Sequence, residues 1–179
     1  MKLWKLILLL IGSYLGMGFI VILIIFGVTG QFHDIFGDSD SFFIWINFLF
    51  GHSLASPSLK ILSAVNESPG NSVLLILLLL LILPGLISAI LVGLFAKNSK
   101  VAFRVVFLFF ILCSVIILIL YASGIYLYSI EMISNVIPGF FALPQGLVIF
   151  LIVMIGLFQS IVHGGIAGQL RNILRRKQR

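Results

Sequence analysis

The sequence predicts an all-α membrane protein. The expected form is a four-transmembrane-helix bundle with a large first extracytoplasmic loop that carries a short interfacial or re-entrant helical segment. Three observations lead there. First, 61% of the 179 residues are hydrophobic and 9% are charged. A soluble domain has about 45–50% apolar and about 25% charged residues. Second, four apolar stretches are each long enough to cross about 30 Å of hydrocarbon, which takes about 20 helical residues. They are continuous, without the in/out alternation of barrel strands. Third, the basic residues cluster at alternate ends of those stretches.

The spans are expected at about 6–28, 73–96, 105–128 and 146–170, within a single integral membrane domain covering 1–179. The first follows Lys2 and Lys5 and has the look of a secretory signal. Its apolar core is longer than the usual 7–15 residues, and no A-x-A-like site follows, so it reads as an uncleaved anchor.

Lys2 and Lys5 precede the first span. Lys97, Lys100 and Arg104 lie between the second and third, and Arg171, Arg175, Arg176, Lys177 and Arg179 follow the fourth. Four crossings put all of these on one side and leave Lys60 alone on the other, with Asp34, Asp38, Asp40, Glu67 and Glu131. Both termini are therefore expected in the cytoplasm, with the chain in the cytoplasmic or plasma membrane. The cytoplasmic tail, 171–179, is expected to touch anionic lipid, each cation contributing about 1 kcal/mol. Trp4, Tyr121, Tyr126 and Tyr128 fall at span ends, where aromatic anchors are expected.

The net charge of +6 does not indicate nucleic acid, because the cations sit at span ends and form no stripe. The single cysteine, Cys113, allows no disulfide framework or thiolate metal site.

The outer loop, 29–72, holds SFFIWINFLF at 41–50, too short to span and too apolar for water. A short helix is expected from Ser56 and Pro57. Asp38, Asp40 and His52, with His33 and Asp34, form a weak metal-type cluster that reads more simply as a solvated acidic loop. Asn66-Glu67-Ser68 fits a glycosylation acceptor, with Pro69 directly after it. Lys97 to Arg104 makes a short cytoplasmic loop, so the second and third spans are expected to form a tight antiparallel hairpin.

Small residues recur every fourth position in the fourth span, at Gly156, Ser160, Gly164 and Gly168, with Gly165 and Ala167 beside them. The second span repeats the theme with Gly85, Ala89 and Gly93, and the first has Gly12 and Gly16. Such stripes let membrane helices approach closely. The partner face can be another helix of this chain, a second chain, or a ligand groove.

His163 lies about 12 Å inside the cytoplasmic boundary, at about 1.5 Å per residue, with Gln159 one turn before it. A buried imidazole there is a candidate polar site for a proton, ion or ligand, or else hydrogen-bonded packing. Pro84-Gly85 is expected to kink the second span near its middle. LVGLFAKN at 91–98 loosely parallels IAGQLRN at 166–172, an open hint of duplication.

No motif for a cofactor is found, and none is expected. The function expected is that of a small membrane subunit or scaffold acting by helix–helix packing, in a homo- or hetero-oligomer. The alternatives are a transporter or channel component with a polar site near Gln159 and His163, and a membrane enzyme using the outer-loop acids and histidines.

Overall fold

A segment surrounded by lipid must satisfy its own backbone polar groups, and a helix does so within one stretch of chain. The computed structural model describes residues 1–29, 76, 79–80, 82–123 and 145–177. Among them it is helical throughout, with four helices and no strand. These are α1 (Leu3–Thr29), α2 (Leu83–Phe95), α3 (Ser99–Ala122) and α4 (Gln145–Lys177).

Three of them contain segments long and apolar enough to cross a membrane: Leu3–Val21, Ser99–Ala122 and Ile152–Arg176. The 13 residues of α2 extend only about 20 Å at 1.5 Å per residue. Helix α2 covers the last part of the expected second span, 73–96, and Ile76, Leu79 and Leu80 ahead of it are helical too. Pro84 follows the turn at Ile82, which separates α2 from the helical Leu79 and Leu80. It stands in the first turn, where a missing N–H is no loss because first-turn donors have no intrahelical partner.

Two further boundaries differ from expectation. Helix α3 begins at Ser99, so Lys100 and Arg104 are helical and the connection shrinks to residues 96–98. Asn98 caps it, its Oδ1 accepting from the Val101 N–H at 2.8 Å. A cap of this kind contributes about 1 kcal/mol. Helix α4 continues through Lys177, so most of the expected tail is two more helical turns. Arg and Lys are good helix formers, and cations at a helix C-terminus are stabilised by the macrodipole.

Packing order does not follow chain order. Helix α3 lies most extensively against α4, and α2 sits between α1 and α4. Helices α2 and α3 touch lightly despite their short connection, and α1 and α3 barely meet. The connection at 96–98 is as short as expected, but among the described residues α3 packs more on α4 than on α2. The core joins Leu6, Leu10 and Tyr14 of α1, Ala89 and Val92 of α2, Val106, Phe110 and Cys113 of α3, and Ala167 of α4. On α3 the buried positions Ala102, Val106, Phe110, Cys113 and Ile117 recur at three or four residues, one face of a helix.

The basic end of the bundle is assembled from four helix ends. The Met1 amino group lies 3.4 Å from the Phe95 carbonyl, and Arg171 donates from Nη1 to the Leu94 carbonyl at 3.4 Å. Gly168 of α4 packs on the Ser99 carbonyl at the start of α3. Lys2, Lys5, Lys97, Lys100, Arg104 and Arg171 therefore share one end. Lys5 sits over the exposed Trp4 ring at 5.4 Å. Lys60, the acids, Tyr126, Tyr128, Asn66 and the expected loop segments 41–50 and 56–66 all lie outside the described residues.

Candidate functional site

The centre of the molecule is a junction where α2, α3 and α4 meet around His163. The side chain is 8% exposed. Its Nδ1 lies 2.8 Å from the backbone carbonyl of Gln159. A carbonyl only accepts, so Nδ1 carries the proton and the imidazole is held as the Nδ1–H tautomer. The expected bond to Gln159 is thus made to its backbone oxygen.

The ring stacks on Phe110 of α3, with centroids 4.5 Å apart and planes 16° from parallel. The Nε2 edge points at Gly85. A methyl group built on Gly85 would stand 2.7 Å from Nε2 and 3.1 Å from the Phe110 ring. The absence of a side chain at Gly85 is therefore what admits the imidazole between α2 and α4. Residue 85 reaches that position because α2 starts at Leu83 and turns Gly85 inward beside the buried Pro84.

The small residues of the second and fourth spans surround this junction. Gly156, Ser160, Gly164 and Gly168 are all buried. A side chain at Gly156 would collide with the Ser114 hydroxyl of α3, and one at Gly164 would meet the Phe103 ring and carbonyl at 3.2 Å. A side chain built on Gly93 of α2 would stand 2.8 Å from the Ala167 carbonyl of α4, so the two backbones pack closely there. Ala89 is fully buried nearby. Gly165 departs from the expectation that it widens the stripe, because open space surrounds it. A residue one position from Gly164 is rotated by about 100° around the helix, away from α3.

Buried hydroxyls in this region bond locally. Ser88 donates to the Pro84 carbonyl, Ser160 to the Gly156 carbonyl at 2.6 Å, and Ser114 to the Phe110 carbonyl at 2.9 Å. This i to i−4 bonding satisfies a hydroxyl in lipid without a second helix.

Among the described residues, two of the clefts that open from the bundle are well defined, and His163 lines neither of these. One, of about 280 Å³, lies between the start of α3 and the end of α4 and is lined by Ser99, Lys100, Arg104, Gln169 and Asn172 among others. The other, of about 450 Å³, is an apolar groove between α1 and α3.

The outward side of α1 is different again. Gly12 and Gly16 are exposed, and none of the described residues lies within 4 Å of where their side chains would be. Leu6, Leu10 and Tyr14 form the buried face of α1. Gly12 is two residues from both Leu10 and Tyr14, so it points to the opposite side. Span patterning marked this pair, but nothing in the sequence says which way α1 is rotated.

The weak metal candidates Asp38, Asp40 and His52 lie outside the described residues. Among the described residues no three His, Cys, Asp or Glu side chains converge. Comparison with protein-family models, curated proteins and solved structures finds no match to this chain.

Proposed function

We propose that this protein is a multi-pass membrane subunit that acts by packing against a transmembrane helix of another chain, with α1 as the docking helix. The observation that carries this reading is the contrast between two glycine sets. The α4 stripe is occupied by α3 within the chain, while Gly12 and Gly16 of α1 are exposed and have no neighbour among the described residues. Two glycines four residues apart let a second helix approach to backbone contact, which is the main source of helix association in lipid. Leu8, Phe19 and Ile20 flank the pair and are exposed, supplying apolar walls.

In this reading the basic end faces the cytoplasm, with both termini there, following the rule that Lys and Arg are retained inside. The role of His163 is to lock α2 onto α3 and α4. Its ring is consumed by stacking on Phe110 and by its bond to the Gln159 carbonyl.

The test uses the full chain in native membranes and in lipid nanodiscs. Gly12→Ile with Gly16→Ile is compared with wild type by cross-linking and by subunit counting. The expected result is loss of the cross-linked complex while the isolated chain unfolds at the same temperature. An unchanged set of cross-linked species would overturn the reading. Tags on the two termini, probed from each side of intact cells, test the orientation.

A further inference from the structure

Helices α1 and α3 both start at the basic end and run in the same direction, yet they close on each other at one level only. Tyr14 meets Phe109 and Phe110 edge-on, with centroids 5.0 Å and 5.7 Å away. Between that contact and the basic end the two helices stand apart. The space left is the apolar groove of about 450 Å³, within the range of about 300–1,000 Å³ for pockets that hold small ligands.

Ile7, Leu10 and Ile11 of α1 and Val105 and Leu108 of α3 line it, with Arg104 the one charged lining residue. From Leu3 to Ile11, the first and last lining residues of α1 and both on the basic side of Tyr14, is about 12 Å at 1.5 Å per residue. That is close to one leaflet, half of about 30 Å of hydrocarbon. The groove thus has the depth of a single acyl chain, and its cation stands at headgroup level. A helix would have to continue past Tyr14, where α1 and α3 close.

Charge gives the headgroup. Arg104 is exposed and also lines the polar cleft on its other side, together with Lys100, Gln169 and Asn172. None of the described residues is an Asp or Glu, so no carboxylate among them neutralises this pair of cations. A guanidinium beside an ammonium, backed by two amide side chains, matches a phosphate oxygen set.

We propose that the α1–α3 groove is a binding site for one anionic phospholipid, its acyl chain lying between Ile7, Leu10 and Leu108 and its phosphate held by Arg104 and Lys100. This site lies on a different side of α1 from Gly12 and Gly16, and it does not depend on the docking role of that pair. It is also distinct from the general attraction of the C-terminal cations to a charged surface, because it requires both a chain and a headgroup.

The test is native mass spectrometry of the full chain from detergent, with dioleoylphosphatidylglycerol or dioleoylphosphatidylcholine added at equal concentration. Wild type is expected to retain one phosphatidylglycerol at least tenfold more strongly than phosphatidylcholine. Arg104→Gln should abolish that preference, and Arg104→Lys should recover part of it. Leu108→Trp should fill the groove and lower retention of both lipids. Arg175→Gln with Arg176→Gln should leave the site unchanged. Leu108 is 64% exposed and Arg104 is also exposed, so these variants keep the core. Equal retention of the two lipids by wild type would overturn the proposal. So would retention unaltered by Arg104→Gln and Leu108→Trp, or full competition by glycerol phosphate, which has no chain. A wild-type dimer that Leu108→Trp converts to monomer would assign the groove to a second copy and overturn it too.

Discussion

Helices α1 and α4 both carry glycines four residues apart, and the structure uses them in opposite ways. On α4, Gly156, Gly164 and Gly168 are buried against Ser114, Phe103 and the Ser99 carbonyl of α3. On α1, Gly12 and Gly16 meet nothing among the described residues. The same local pattern is therefore a fold determinant in one helix and a free surface in the other. What distinguishes them is the rotation of each helix about its axis, set by which flank carries the larger buried side chains. Leu6, Leu10 and Tyr14 turn α1 so that its glycines face outward.

The comparison is broken or sharpened most strongly at Gly93. A Cβ added there would stand 2.8 and 3.2 Å from backbone atoms of Ala167, which cannot rotate aside. Gly93→Leu is expected to cost about 3 kcal/mol or more, at the upper end for overpacking. Thermal unfolding in micelles, followed by circular dichroism, reads this directly. A variant as stable as wild type would mean that α2 and α4 do not cross there.

The His163 junction comes next. Gly85→Ala and His163→Ala are each expected to destabilise by about 1–3 kcal/mol, the first by crowding and the second by loss of stacking and a hydrogen bond. Because a side chain at Gly85 collides with the ring itself, the double variant should be less damaged than the sum, by about 0.5 kcal/mol or more. Strict additivity in a double-mutant cycle would separate the two residues.

The α1 pair is expected to behave in the reverse manner. Gly12→Ile and Gly16→Ile should each change the stability of the isolated chain by no more than about 0.5 kcal/mol, as for other surface positions. The same changes should abolish assembly. A large loss of stability would show that α1 is rotated differently in the bilayer.

Gly165 provides the smallest effect and the sharpest control. It lies inside the α4 stripe by position but has open space around it. Gly165→Ala should be neutral or stabilising by up to about 1 kcal/mol, since alanine is the better helix former. Gly164→Ala, one residue away, would set its methyl 3.2 Å from Phe103 and should not gain in the same way.

Much of the helical framework was legible because lipid imposes a simple rule on composition. The first, third and fourth expected spans fall on α1, α3 and α4. Helix α3 lies six residues earlier than expected at both ends, and α4 extends through Lys177. The His163 site was half legible. The depth of the imidazole and a carbonyl partner follow from a 3.6-residue repeat, but Phe110 and Gly85 are remote in sequence. The signal that could have pointed to Gly85 is its place directly after a proline, which fixes where a helix can start. The lipid groove was not legible, since it arises from two helices that fail to close.

The sequence by itself determined that long oily segments are helical, where they lie, and that cations gather at alternate ends. Each of these follows from local chemistry: hydrocarbon forbids unpaired backbone groups, and charge is expelled from it. Only the tertiary structure decided that α3 pairs with α4 rather than with α2, that one glycine set is filled and another bare, and that Arg104 stands over an open groove. Those outcomes depend on helix rotation and on close approach between segments far apart in the chain, and in lipid such packing is governed by shape rather than by hydrophobicity.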